Sequence, residues 1–239
     1  LVLPAEYGDD LDRAKDPVLR TVFAFNAQGV YRSDNDGETW TALTLPAGIA
    51  RINDLAISNG WPAAPVLAIA VTAPDRVAYV STDDGRTWRG VPGRDGLSGT
   101  SVAMSVDFAP IPDPDRFFRG TVYLPSVVKR APADVDPPYE PYIGSREMFV
   151  ATDGDGVYRS TDAGQTWSAS PASFTSMQVT ALAFLPGGGG TVLAGTDAAG
   201  LQRSDDGGRT WSFVDSGLPR GAGQTVRALR VSPAFASDR

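Results

Sequence analysis

Gly156-Val-Tyr-Arg-Ser-Thr-Asp-Ala-Gly-Gln-Thr-Trp167 decides the fold, because the chain repeats this stretch three more times. Gly29 to Trp40, Val77 to Trp88 and Gly200 to Trp211 follow the same plan. All four reduce to S-x-D-x-G-x-T-W, with Asn35 replacing the aspartate in the first copy. Four of the five tryptophans close such a box, which ties the motif to a repeated structural unit. Alternating apolar residues run into each box and a polar turn ends at Thr-Trp, so the box predicts a hairpin corner between two strands.

Every box residue has a part in that corner. Asp83, Asp162 and Asp206, with Asn35 in the same place, are expected to accept backbone N–H groups two residues on, as Asx turns do. Gly37, Gly85, Gly164 and Gly208 supply positive φ. The hydroxyls of Ser33, Ser81, Ser160 and Ser204 and of the box threonines satisfy further turn amides, while Trp40, Trp88, Trp167 and Trp211 cover a neighbouring sheet. On this reading the acidic boxes are folding devices rather than catalytic or calcium sites.

Upstream of each box the grammar also repeats: a strand such as Val179 to Leu185, a Gly/Pro turn, a strand such as Thr191 to Gly195, another turn, then the strand that enters the box. The box serines lie 48, 79 and 44 residues apart. A period of about 45 residues with four short strands per unit is the size of a propeller blade. No segment carries a 3.6-residue apolar period, so the expected fold is an all-β propeller of four-stranded antiparallel blades. One domain spans 1–239, with blades near 1–48, 49–98, 99–175 and 176–222 and a partial fifth over 223–239. First strands are expected near Leu1, Ile52, Val102, Val179 and Val226. A sequence that stops inside a repeat implies a fragment of a longer chain, an open ring or a small ring. A blade without a neighbour exposes apolar faces, so a protein partner or the remaining part of a longer chain is expected to cover them.

Composition removes whole classes of chemistry. The 239 residues include no His and no Cys, which rules out Ser-His-Asp and Cys-His hydrolases, imidazole metal sites, disulfides and thiolate zinc sites. A net charge of −7 opposes nucleic-acid binding. The longest apolar runs, such as Val66 to Val71, are far short of a membrane-spanning helix.

The boxes resemble those of the Asp-box, or bacterial neuraminidase repeat, proteins, whose β-propellers include sialidases, xyloglucanases, sortilin-type receptors and photosystem II assembly factors. The resemblance covers nearly the whole chain, with three full boxes and one that departs only at Asn35. It implies that each box joins the third and fourth strands of a blade, on the outer rim and away from a central binding face. It also suggests an extracytoplasmic or cell-surface location. A sialidase would need several arginines, an acid Asp and a Tyr activated by a Glu. Ala50-Arg-Ile-Asn53 departs from the Phe-Arg-Ile-Pro start at both ends, and only Glu6, Glu38, Glu140 and Glu147 are available.

Three places are candidates for function. The long interval between the second and third boxes holds an insertion at 110–147 with eight prolines, the tyrosines Tyr139 and Tyr142 and the basic pair Lys129 and Arg130. A Pro-rich loop on a rigid scaffold suits partner or glycan binding, and a solvated insertion or a degenerate blade around Thr121 to Val128 fits the same residues. Asp153-Gly-Asp-Gly156 has a carboxylate spacing that suits calcium, although the equivalent positions of the other repeats mark an ordinary turn. Arg51, Asp54 and Asp107 lie near the ends of first strands, where central-face groups occur; two carboxyl groups about 5–9.5 Å apart are the requirement for glycoside hydrolysis. The expected role is a non-catalytic propeller for protein interaction or assembly, with no cofactor. The alternative is a carbohydrate-active propeller.

Overall fold

The computed structural model describes residues 21–58, 65–104, 146–169, 178–185, 190–197, 199–214 and 225–231. These form four antiparallel sheets in chain order and no helix. The first sheet holds β1 (Val22–Phe25), β2 (Val30–Ser33) and β3 (Thr41–Ala42). The second holds β4 (Arg51–Ile57), β5 (Leu67–Thr72), β6 (Arg76–Ser81) and β7 (Arg89–Pro92). The third contains β8 (Gly99–Met104), β9 (Met148–Thr152), β10 (Val157–Ser160) and β11 (Ser168–Ala169). The fourth is β12 (Val179–Phe184), β13 (Val192–Thr196), β14 (Leu201–Ser204) and β15 (Ser212–Phe213).

Each sheet is a meander in which sequence neighbours pair, so strand order equals chain order. Register against the box identifies β1 as a second strand: Val22 faces Ser33 as Leu67 faces Ser81, Met148 faces Ser160 and Val192 faces Ser204. The first blade therefore shows three of its four strands among the described residues, and the expected strand near Leu1 lies outside them. Strands β4, β8 and β12 pack on one another in succession, which makes them the inner strands and puts β7, β11 and β15 on the outer edge.

The core lies between sheets rather than within one. One apolar cluster joins the first two blades through Phe23, Val30, Leu55 and Ile69. A second joins blades two and three through Val80, Val91, Val102 and Met148, and a third joins blades three and four through Phe149, Val179, Leu182 and Phe184. Near-continuous apolar runs such as Leu67-Ala-Ile-Ala-Val71 follow from this, since a second strand is covered on both faces.

Inner strands begin with a bulge. The register slips at Ile52/Asp54, Gly99/Ser101 and Val179/Ala181, leaving Asn53, Thr100 and Thr180 as the extra residues. Each of these side chains donates to the start of the next inner strand: Asn53 Nδ2 to Gly99 O at 2.7 Å, Thr100 Oγ1 to Val179 O, and Thr180 Oγ1 to Val226 O at 2.6 Å. Bulges thus turn a polar group sideways and set the spacing between blades. Val226 N donates to Thr196 O as Ile52 N donates to Ala27 O, so residues 225–231 begin where a fifth inner strand would start.

Candidate functional site

The four boxes share one hydrogen-bond pattern. Serine Oγ donates to the box Asp or Asn at 2.7–2.8 Å and accepts the N–H of the box glycine at 2.7–2.9 Å. The Asp or Asn Oδ1 accepts the threonine N–H four residues on at 2.8–2.9 Å. The reach is thus longer than the two-residue Asx turn expected from sequence, because two consecutive residues take positive φ and curl the chain back under the carboxylate. These pairs are Asp36 and Gly37, Asp84 and Gly85, Ala163 and Gly164, and Gly207 and Gly208. Threonine Oγ1 donates to Asp83, Asp162 and Asp206 at 2.5–2.6 Å. In the first box the direction reverses, with Asn35 Nδ2 donating to Thr39 Oγ1 at 2.9 Å, so the amide serves as well as the carboxylate.

The boxes also clamp the root of another loop. The N–H groups of Asp84, Ala163 and Gly207 donate to Pro65, Arg146 and Gly190, each two residues before a second strand. Boxes and first-to-second-strand connections therefore share one end of the blades. The long insertion leaves after β8 and returns at Arg146, so its returning root sits under the third box. Glu147 pairs there with Arg159, and both side chains are largely buried. Residues 26–29, 153–156, 197 and 199–200 and the starts of the inner strands occupy the opposite end.

At that opposite end Asp54, Asp153, Asp155 and Asp197 are engaged. Asp54 Oδ2 accepts from Ser101 Oγ at 2.7 Å and Val102 N at 3.1 Å, while its Oδ1 accepts from Leu55 N at 2.9 Å; it braces blade two to blade three. Asp153 Oδ1 accepts Ser98 N at 2.9 Å. Asp155 pairs with Arg94 at 2.7 Å, and the Tyr158 hydroxyl, whose pKa is raised by burial and then by Asp155, lies 3.4 Å from its Oδ2. Thr225 Oγ1 donates to Asp197. Among the described residues no group of three or more acidic side chains is gathered as a metal site.

The BNR/Asp-box repeat model matches residues 158–169 and 202–213. The chain carries Asp-box repeats. The Niastella koreensis GH74 enzyme superposes with a TM-score of 0.51 at 17% identity, covering 81% of this chain and 27% of that one. YCF48 from Cyanidioschyzon merolae superposes with a TM-score of 0.52 at 13% identity, covering 85% of this chain and 58% of that one. Such likeness is one of fold, the β-propeller, and the chain spans less than two thirds of either relative. No curated protein is similar to it in sequence.

The box serines end the third strands, and the other Asp-box residues named from sequence lie between third and fourth strands. The tryptophans differ. Trp211 is buried in the seam between blades three and four, and Trp167 and Trp88 pack on the seams before their own blades, whereas Trp40 is 41% exposed. The indole N–H groups of Trp40, Trp167 and Trp211 bond the glycine carbonyl of their own box. Trp88 instead donates to Thr44 O of the first blade at 3.1 Å. Between the second and third Asp boxes a groove of about 440 Å³ is lined by Thr82, Thr87, Trp88, Arg89, Ala163 and Gln165. Tyr139, Tyr142, Lys129, Arg130 and Asp107 lie outside the described residues.

Sequence reasoning missed the brace made by Asp54 and the bulged Asn53, Thr100 and Thr180. The signal was present: aligned on Ile52, Gly99, Val179 and Val226, the residue that follows is polar in every copy.

The Asp-box carboxylates predict acid sensitivity. Burial works against the charge on Asp83 and Asp162, and hydrogen bonds from Thr87 and Ser81, and from Thr166 and Ser160, outweigh it and hold both below the usual carboxylate range. Asp206 is held lower by the Thr210 hydroxyl, the Thr210 amide and Ser204. A depressed folded-state pKa gives stability that is present above the unfolded value of about 4 and is lost as pH falls through the folded value. Melting temperature should therefore hold above about pH 5 and drop steadily from about pH 4 downward. In a variant with Asp83→Asn, Asp162→Asn and Asp206→Asn, which copies the first box, the drop should be shallower in a pH series of thermal melts.

Proposed function

We propose that the chain is a non-catalytic propeller module that binds another polypeptide through its insertion. The carrying observation is where that insertion is mounted: it interrupts the link from inner strand β8 to β9, and its returning root is held by Ala163 N to Arg146 O at 3.2 Å and by the Glu147–Arg159 pair. A proline-rich loop fixed at its foot loses less entropy on binding than a free one. Tyr139 and Tyr142 offer flat amphipathic contact area, and Lys129 and Arg130 offer positive charge on an otherwise acidic chain. The intramolecular bonds of Asp54, Asp153, Asp155 and Glu147 support the non-catalytic reading, since a glycosidase needs a carboxyl pair turned to its substrate.

A second reading, a carbohydrate-binding propeller, draws support from the groove between the Asp boxes, whose volume and mixture of indole, guanidinium, amide and hydroxyl groups suit a small polar ligand. One structural neighbour is a GH74 enzyme.

The test compares the protein with its Tyr139→Ala/Tyr142→Ala variant, both immobilised and exposed to extract from the source organism, with bound polypeptides quantified by mass spectrometry. At least one polypeptide should fall about tenfold or more with the variant, while its melting temperature stays unchanged. Equal recovery would remove the insertion from the binding role. Release of reducing ends from xyloglucan, lost on Asp54→Asn, would replace this reading with the carbohydrate one.

A further inference from the structure

In three of the four blades the residue before the box serine is an arginine held by acid: Arg32 by Asp34 and Asp84, Arg159 by Glu147 and Arg203 by Asp205. The residue opposite each of them on the fourth strand is small: Thr41, Ser168 and Ser212. Blade two exchanges the pair. Val80 takes the third-strand place and Arg89 stands opposite it on β7. The residue after the box serine, which is Asp34 beside Arg32 and Asp205 beside Arg203, is Thr82 in this blade. Arg89 is therefore an exposed guanidinium with no ion-pair partner among the described residues.

The same exchange opens the seam between blades two and three. Across each described seam, the residue before one box serine faces the left-handed residue before the next box glycine, which is Asp84, Ala163 or Gly207. Arg32 bridges to Asp84, and Arg159 lies so near Gly207 that a Cβ there would be 3.2 Å from its Nη2. Between them in the series stand Val80 and Ala163, whose side chains are short. The groove of about 440 Å³ lies there.

Its lining divides by chemistry. Val80, Ala163 and Trp88 are apolar, and the Trp88 ring is fixed by its N–H bond to Thr44 O. Arg89, Thr82 and Gln165 are polar and exposed. The box carboxylates beside them are occupied within their own turns, Asp83 by Thr87 and Ser81 and Asp162 by Thr166 and Ser160. A guanidinium presents a planar fork to a carboxylate, while hydroxyl and amide groups both donate and accept, as the hydroxyls of a sugar do. The volume falls within the roughly 300–1,000 Å³ of small-ligand sites.

We infer that this groove binds an acidic sugar, a uronic acid unit whose carboxylate pairs with Arg89 and whose hydroxyls meet Thr82 and Gln165. The inference rests on the carbohydrate reading of the groove and narrows it to an anionic ligand. The insertion has no part in it, so the polypeptide reading stands or falls separately.

The experiment is titration calorimetry of the 239-residue chain with digalacturonate and with the neutral galactobiose of the same linkage. Digalacturonate should bind with a Kd below about 1 mM, and galactobiose at least about tenfold more weakly. Arg89→Gln should weaken digalacturonate at least about tenfold without moving the melting temperature, because the exposed guanidinium holds nothing else in place. Thr82→Asp installs the acid that blades one and four carry, and should weaken binding as much by engaging Arg89. Digalacturonate that fails to bind at about 10 mM, or that binds both variants as it binds the parent, would overturn the inference. Equal affinity for the two sugars would overturn it and leave the carbohydrate reading standing, whereas no binding of either would remove both. Triglutamate bound more tightly than digalacturonate would also overturn it, and would give the groove to an acidic peptide.

Discussion

Gly208→Ala should lower the melting temperature by about 5–15 °C. Two costs fall on the same atom. The residue has φ 79°, where any Cβ is disfavoured by about 1 kcal/mol or more. The added Cβ would also stand 2.6 Å from Phe149 Cε1 and 3.3 Å from its Cζ. Phe149 cannot step aside, because it is fully buried and packs against the tilted ring of Phe184, with centroids 5.6 Å apart, in the seam between blades three and four. Overpacking of this kind costs about 1–3 kcal/mol, so the sum is about 2–4 kcal/mol. Gly96→Ala separates the terms: its φ is 78° and nothing lies within 4 Å, so it should show the backbone cost alone. Calorimetry of both variants checks the difference, and equal losses would show that Phe149 yields.

Arg32→Ala should cost about 2 kcal/mol and loosen the first blade from the second. The guanidinium, 23% exposed, bonds Asp34 through Nε and Asp84 through Nη1, while Asp84 is 17% exposed. Burial lowers the Arg32 pKa, yet its two aspartates prevail and hold it above the ordinary value. Removing it leaves the Asp84 carboxylate in the seam, where Oδ1 is already buried without a hydrogen-bond partner. The expected signature is a loss in urea midpoint that changes little between low and high salt, because a shielded pair is poorly screened. Adding Asp84→Ala should recover part of the loss, and the double-mutant cycle gives the coupling. A strictly additive cycle would mean that the pair contributes nothing to the seam.

Both predictions follow from what the Asp box does. It satisfies its own turn, clamps the root of a neighbouring loop, and presents one side chain to the preceding blade. The first task needs Ser, Asp or Asn, Gly and Thr in fixed places. The third tolerates aspartate, alanine or glycine, since it depends on what the previous blade offers.

That division separates what was legible in the chain from what was not. The sequence by itself determined the blades, because a repeated S-x-D-x-G-x-T-W at blade spacing is a local instruction: hydroxyl, carboxylate and glycine meet within eight residues and need nothing from elsewhere. It also placed the inner strands near Ile52, Val102 and Val179, through the repeated order of short strands and turns ahead of each box. Only the tertiary structure decided what Asp54 is for. Its partners Ser101 and Val102 lie about one blade further along the chain, and no spacing rule distinguishes a bracing carboxylate from a catalytic one. The same holds for Arg32 and Asp84, for the Trp88 indole that reaches Thr44, and for the end of the blades on which the insertion is mounted. Each depends on how separate sheets stack, and stacking is set by side-chain shape and charge summed across a seam rather than by any one segment.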